Sequence, residues 1–170
     1  MRASRTIAFA AALGATLALP APLRAQASKF VGAWKLVSYV TTDSSGAKRS
    51  PWAPNSPGLI AYFADGTMAA QLYDGRRAPL GQPVASAAPE VVRAALAGMA
   101  SYFGTFTVDT VAKRVTHHVE GAYQPDWIGR DLVRSYRFVG ANRLELTVVS
   151  NADGKVVANG GVLTWERVRR

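Results

Sequence analysis

The sequence predicts an all-β domain: eight antiparallel strands curled into a closed barrel, with one short helix. Three observations carry this. Beyond residue 27, eight segments rich in β-branched and aromatic residues recur, joined mainly by turns bearing Gly, Asp, Asn or Pro. A single stretch, opening at Pro89, changes to the helical period. Finally, a meander leaves two exposed edges unless its first strand pairs with its last. Eight strands close into a barrel that side chains can fill or that can hold one small ligand. An open sandwich is the competing arrangement.

The elements follow in order. Residues 1–27 read as a secretory leader: Arg2 and Arg5 form a positive start, Thr6 to Leu19 is almost wholly apolar, and Ala25-Gln26-Ala27 is an A-x-A cleavage signal. The apolar run is shorter than the roughly 20 residues a spanning helix needs. This predicts an exported chain, periplasmic or secreted, whose barrel domain occupies residues 28–170, with no stable membrane insertion. Phe30–Val40 reads as the first strand. Thr41–Ser50 reads as a loop, and the proline-rich Pro51–Gly58 as an extended rim, because proline removes backbone donors. Gly58–Ala64 and Thr67–Tyr73 form a hairpin across Asp65-Gly66. Asp74–Ala88 is loop. From Pro89, the residues Val92, Ala95, Leu96 and Met99 share one helical face, and proline suits a first turn. Tyr102–Val108, Arg114–Gly121, Asp131–Val139, Arg143–Ser150 and Gly161–Val168 supply the remaining strands.

Composition narrows the chemistry. The chain has 170 residues, no cysteine and a formal charge of +9, of which Arg2, Arg5 and Arg24 lie in the leader. Without cysteine, stability must come from packing and sheet closure, and thiolate catalysis and cysteine-based zinc sites are excluded. The remaining bases are scattered apart from Arg76-Arg77 and the tail, which argues against nucleic acid as a partner.

The segment Val115–Gly129 gathers both histidines, Glu120, Tyr123, Asp126 and Trp127. Neighbours on a strand face opposite ways, so only one histidine points inward. His117 shares parity with Val115 and Val119, and so faces an apolar interior, leaving His118 and Glu120 as an exposed pair; a polar interior would reverse this. Two diverging imidazoles do not make a metal site, and no cofactor-binding or nucleophile motif is present. His117 and His118 are therefore the candidate acid–base groups. Asp126 and Asp131 read as turn residues serving the backbone, and Glu120 as an exposed partner for an arginine such as Arg134. Trp52, on the proline-rich rim, reads either as an apolar gate or as a cap on the core.

Gly32-Ala33-Trp34 is a Gly-x-Trp signature. Read together with Pro57-Gly58-Leu59, Asp65–Leu72, Gly104–Val108, Val115–Val119, Pro125–Gly129 and Leu163–Arg167, it resembles the bacterial and fungal lipocalin-like domain family across essentially all of Phe30–Arg167. The resemblance implies a lipocalin-like barrel in which Trp34 packs at the closed end beneath an arginine. Arg167 is the first candidate for that arginine and Arg143 the second.

Fold does not fix function. One expectation is a barrel binding a small apolar or amphipathic molecule, with Tyr62, Tyr102, Phe106, Val119 and Trp127 as lining and His117 and Arg134 as polar anchors. The other is a cyclase, isomerase or dehydratase using the inward histidine, which requires a second titratable group within its reach. The first predicts a cavity of several hundred Å³ or so, a typical ligand-site size. Neither specifies an oligomeric state.

Overall fold

The computed structural model of the protein describes residues 27–150 and 154–169. The leader, apart from Ala27, and Asp153 of the Asp153-Gly154 turn that the sequence predicts before the last strand lie outside the described residues.

The strands are β1 (Gly32–Thr42), β2 (Lys48–Arg49), β3 (Gly58–Tyr62), β4 (Thr67–Tyr73), β5 (Met99–Asp109), β6 (Arg114–Ala122), β7 (Asp131–Val139), β8 (Arg143–Val148) and β9 (Val162–Arg167). Each strand from β3 to β8 pairs antiparallel with the next, and β1 pairs with both β3 and β9. The sheet is thus a closed eight-stranded barrel. The two-residue β2 hangs from the end of β1 through Thr41↔Arg49, inside what the sequence presents as loop. Asp43 organises that small hairpin by accepting hydrogen bonds from the amides of Ser45 and Ala47.

Strand alternation follows burial. Trp34, Leu36, Ile60, Met68, Ala70, Leu72, Leu144, Leu146 and Trp165 are all buried, while intervening residues such as Lys35, Leu59 and Gln71 face solvent. Phe30 departs from the predicted first strand. It ends a helical turn over residues 27–30 and plugs the barrel, its ring edge-on to Tyr62, Tyr136 and Phe138 at 5.0–5.2 Å. The core therefore fills the end of the barrel where β1 begins.

The two ends differ accordingly. At the Phe30 end the connections are short: 63–66, 110–113 and 140–142. Asp65 closes the first by accepting from Thr67 N, and Gly66 supplies its left-handed φ of +91°. At the opposite end the connections 43–57, 74–98, 123–130 and 149–161 are long. The helix Pro89–Ala97 belongs to this end. It buries none of its residues, and Leu96 is 46% exposed. Met99 is in β5 rather than on the helix, because Gly98 ends the helix and the chain enters the sheet at once.

The long rim is pinned. Asp74 accepts from Ala53 N at 3.0 Å and pairs with Arg76 at 2.7 Å, while Arg76 also donates to the carbonyl of Pro51. Ser56 donates to the Ala53 carbonyl and accepts from Gly75 N. The Arg76 guanidinium, with the backbone amides of Ala53 and Arg76, holds the Asp74 carboxyl well below the usual carboxylate range. Trp52 is thereby fixed edge-on against Tyr39, ring centroids 5.3 Å apart.

Candidate functional site

Between the Phe30 plug and the long loops lies a cavity of about 490 Å³. This is within the size range of small-molecule sites, about 300–1,000 Å³. Its walls come from nearly every strand: Tyr39 and Thr41 of β1, Ile60 of β3, Leu72 of β4, Ala100 and Tyr102 of β5, Leu132 and Arg134 of β7, Leu146 and Val148 of β8, Leu163 and Trp165 of β9. Trp52, Trp127, Val157 and Asn159 enter from the loops.

His117 of β6 lines this cavity at its floor and is 1% exposed. Parity places it inward beside Val115 and Val119, both buried, and sends His118 outward. His118 does not pair with Glu120. Its Nδ1 lies 2.7 Å from Asp131 and its Nε2 3.0 Å from the Thr107 hydroxyl. Asp131 is directly across the β6–β7 ladder from His118, so cross-strand adjacency outweighs spacing along the strand. Asp131 is therefore an imidazole partner and not a backbone-serving turn residue.

Two tyrosine hydroxyls bracket the inward imidazole. Tyr62 Oη is 2.8 Å from Nε2, and Tyr102 Oη is 2.9 Å from Nδ1. Burial drives the histidine pKa well below its ordinary value, reinforced by the positive charge of Arg134, so the ring is neutral. A neutral imidazole offers one donor and one acceptor. Tyr62 is 1% exposed, and Nε2 is the ring nitrogen within reach of its proton. Satisfying that buried hydroxyl assigns the ring proton to Nδ1, which donates to Tyr102 Oη. The Tyr102 proton is then left to point elsewhere, and the cavity is the space beside it.

Arg134 is the charged side chain among the described lining residues. Its Nη1 donates to the carbonyls of Val133 at 3.0 Å and Ser150 at 3.2 Å, which lay the arm along the wall. The partnership with Glu120 expected from sequence is replaced by these carbonyls, and Glu120 instead is the extra, exposed residue of a bulge opposite Phe103/Gly104. Burial raises the pKa of Tyr102, an effect the adjacent Arg134 guanidinium partly offsets by charge and hydrogen bonding. Among the described residues no three His, Cys, Asp or Glu side chains converge as a metal site.

Of the residues anticipated as lining, Tyr102, His117, Trp127 and Arg134 reach the cavity. Tyr62, Phe106 and Val119 point inward but sit in the packed core. Phe30 explains the first two, since its ring contacts both, and Tyr62 and Phe106 also meet edge-to-face with ring centroids 4.8 Å apart. Simple alternation from Trp34 puts odd positions of β1 outside, but a bulge between Leu36 and Ser38 reverses the parity and turns Tyr39 and Thr41 into the cavity.

The closed end matches the signature motif. The Arg167 guanidinium lies 4.0 Å from the Trp34 ring centre and donates to the carbonyls of Val31 and Lys29 at 2.8 and 2.7 Å. Trp34 Nε1 donates to the Phe30 carbonyl at 2.8 Å. Gly32 has φ +126°, and a Cβ there would stand 2.9 Å from Arg167 Nη1. Arg143, the second candidate, pairs across the ladder with Glu166 and is not the arginine over the indole.

The lipocalin-like domain model matches residues 31–168, so the chain belongs to the lipocalin-like domain family. No curated protein matches it. Among solved structures it is similar to a redesigned β-barrel, at 12% identity and a TM-score of 0.41, with 84% of this chain and 95% of that one covered. The lipocalin-like barrel that the family match shows is at a coarse level a small-molecule-binding fold. Among the described residues no helix is long and apolar enough to cross a membrane.

Proposed function

We propose that the protein binds one small, largely apolar molecule in the 490 Å³ barrel cavity, reached from the long-loop end, and acts as an exported carrier or sensor of it. The observation that carries this is the contrast between the two ends of the barrel. Phe30 and its ring contacts fill one end, whereas the other keeps an aromatic and aliphatic chamber with few polar groups. Export rests on the leader-like residues 1–27.

The test is fluorescence titration with the uncharged probe N-phenyl-1-naphthylamine. Saturable binding at one site per chain is expected, abolished by Ala100→Trp, which puts an indole where a methyl group lines the cavity. No binding, or equal binding to the variant, overturns the reading.

A second reading, proton transfer to or from the bound molecule as in an isomerase, cyclase or dehydratase, draws on Tyr102 and His117. The required second titratable group is present, since both ring nitrogens contact a phenol. Binding is preferred because burial makes His117 a weak base and Tyr102 a weak acid, moving both away from neutrality. Turnover of a bound compound that Tyr102→Phe abolishes while probe binding persists would establish the second reading instead.

A further inference from the structure

The polar groups of the cavity are unequal in kind. Arg134 brings a permanent cation, whose guanidinium has five N–H donors and no acceptor. Tyr102 Oη is 2.9 Å from His117 Nδ1 and beside the Arg134 guanidinium; with the ring proton assigned to Nδ1, that hydroxyl accepts from the histidine and has its own proton left to give. His117 spends both nitrogens on tyrosines. No Asp or Glu occurs among the described residues that line the cavity. Toward the mouth, Thr41 and Asn159 are neutral. A half-buried cation among Leu132, Leu146, Leu163 and aromatic rings is costly without a counter-charge. The carbonyls of Val133 and Ser150 supply dipoles to one face of the guanidinium but no negative charge.

We propose that the ligand is an organic acid, an apolar body bearing one carboxylate that seats against the Arg134 guanidinium and accepts the Tyr102 hydroxyl proton as a hydrogen bond. This rests on the carriage reading above and deepens it. A carboxylate matches the planar fork of arginine and takes only donors, which is what these two residues offer. The aliphatic and aromatic wall takes the remainder of the molecule. His117 is a positioning residue here: by donating to Tyr102 it fixes which way that hydroxyl gives its proton.

The test is displacement of N-phenyl-1-naphthylamine from the purified protein at pH 7.5 by two matched pairs, dodecanoate against dodecanamide and 2-naphthoate against 2-naphthamide. In at least one pair the acid is expected to compete about tenfold or more strongly than its amide, as hydrogen bonds to charged groups imply. Arg134→Gln should reduce that preference to under about threefold, on the same basis. Tyr102→Phe should lower it part of the way. Equal competition by acids and amides with intact naphthylamine binding overturns the proposal and leaves the carriage reading standing. So does a preference that survives Arg134→Gln. Failure of naphthylamine itself to bind overturns the carriage reading and the proposal together. The acid–amide comparison on the unsubstituted chain needs no variant to fold.

Discussion

At the scale of residues, the barrel interior turns on which polar side chains are satisfied and how. His117 is neutral because burial opposes its charged form, and the unfolded chain titrates it near the ordinary value of about 6.5. Its folded pKa is depressed, so below that value the unfolded state binds a proton that the folded state refuses. Stability is then lost as pH falls from about 6.5 toward the folded pKa and is fully present above. Urea denaturation at pH 7 and pH 5.5 should show the unsubstituted protein losing about 1 kcal/mol more across this interval than His117→Phe does. At the closed end, Arg167 combines ring stacking with two carbonyl hydrogen bonds that hold the plug-bearing turn. Arg167→Ala should cost about 2 kcal/mol in the same assay, from lost charged hydrogen bonds and cation–π attraction. Both roles were partly legible: parity separates His117 from His118, and Gly32-Ala33-Trp34 announces the stack. The tyrosine partners of His117 were not legible, because Tyr62 lies 55 positions away and reaches it across the barrel interior.

At the scale of elements, strand positions follow from alternation and turn residues, whereas bulges and the helix do not. Two bulges matter. The one near Val37 turns Tyr39 inward, and the one beside Gly104 lets β5 pair on both sides of Glu120. Gly104 permits the second, since a Cβ there would stand 1.9 Å from the carbonyl oxygen of His118. That contact is with backbone, so it has no side chain to yield. Gly104→Ala should therefore destabilise the protein by roughly 3 kcal/mol, at the upper end of overpacking costs, read from thermal and urea unfolding. The helix Pro89–Ala97 shows the limit of periodicity: its apolar face exists in sequence, but Val92 and Ala95 are only half-buried and none of its residues is fully buried.

At the scale of the whole molecule, closure joins the two ends of the chain. Trp34 pairs with Arg167 and Leu36 with Trp165, so the last seam unites residues more than a hundred positions apart. Such long-range pairing makes folding slow compared with helical domains. Stopped-flow refolding from urea should give a main phase between roughly milliseconds and seconds, as for barrels of high contact order. Closure also produces the cavity, because eight strands leave more room than the Phe30 end consumes.

The sequence alone determined the barrel. Alternating strands, turn chemistry and the need to bury sheet edges leave few other solutions, and the inward His117 follows from the same local rules, while the Trp34 and Arg167 pairing is what the resemblance to the lipocalin-like family implies. Tertiary structure decided the site. Which inward residues face a cavity and which face packing depends on depth within the barrel, and depth is set by the Phe30 plug. That Arg134, Tyr102 and His117 meet at one place depends on register across strands, which spacing along the chain does not encode.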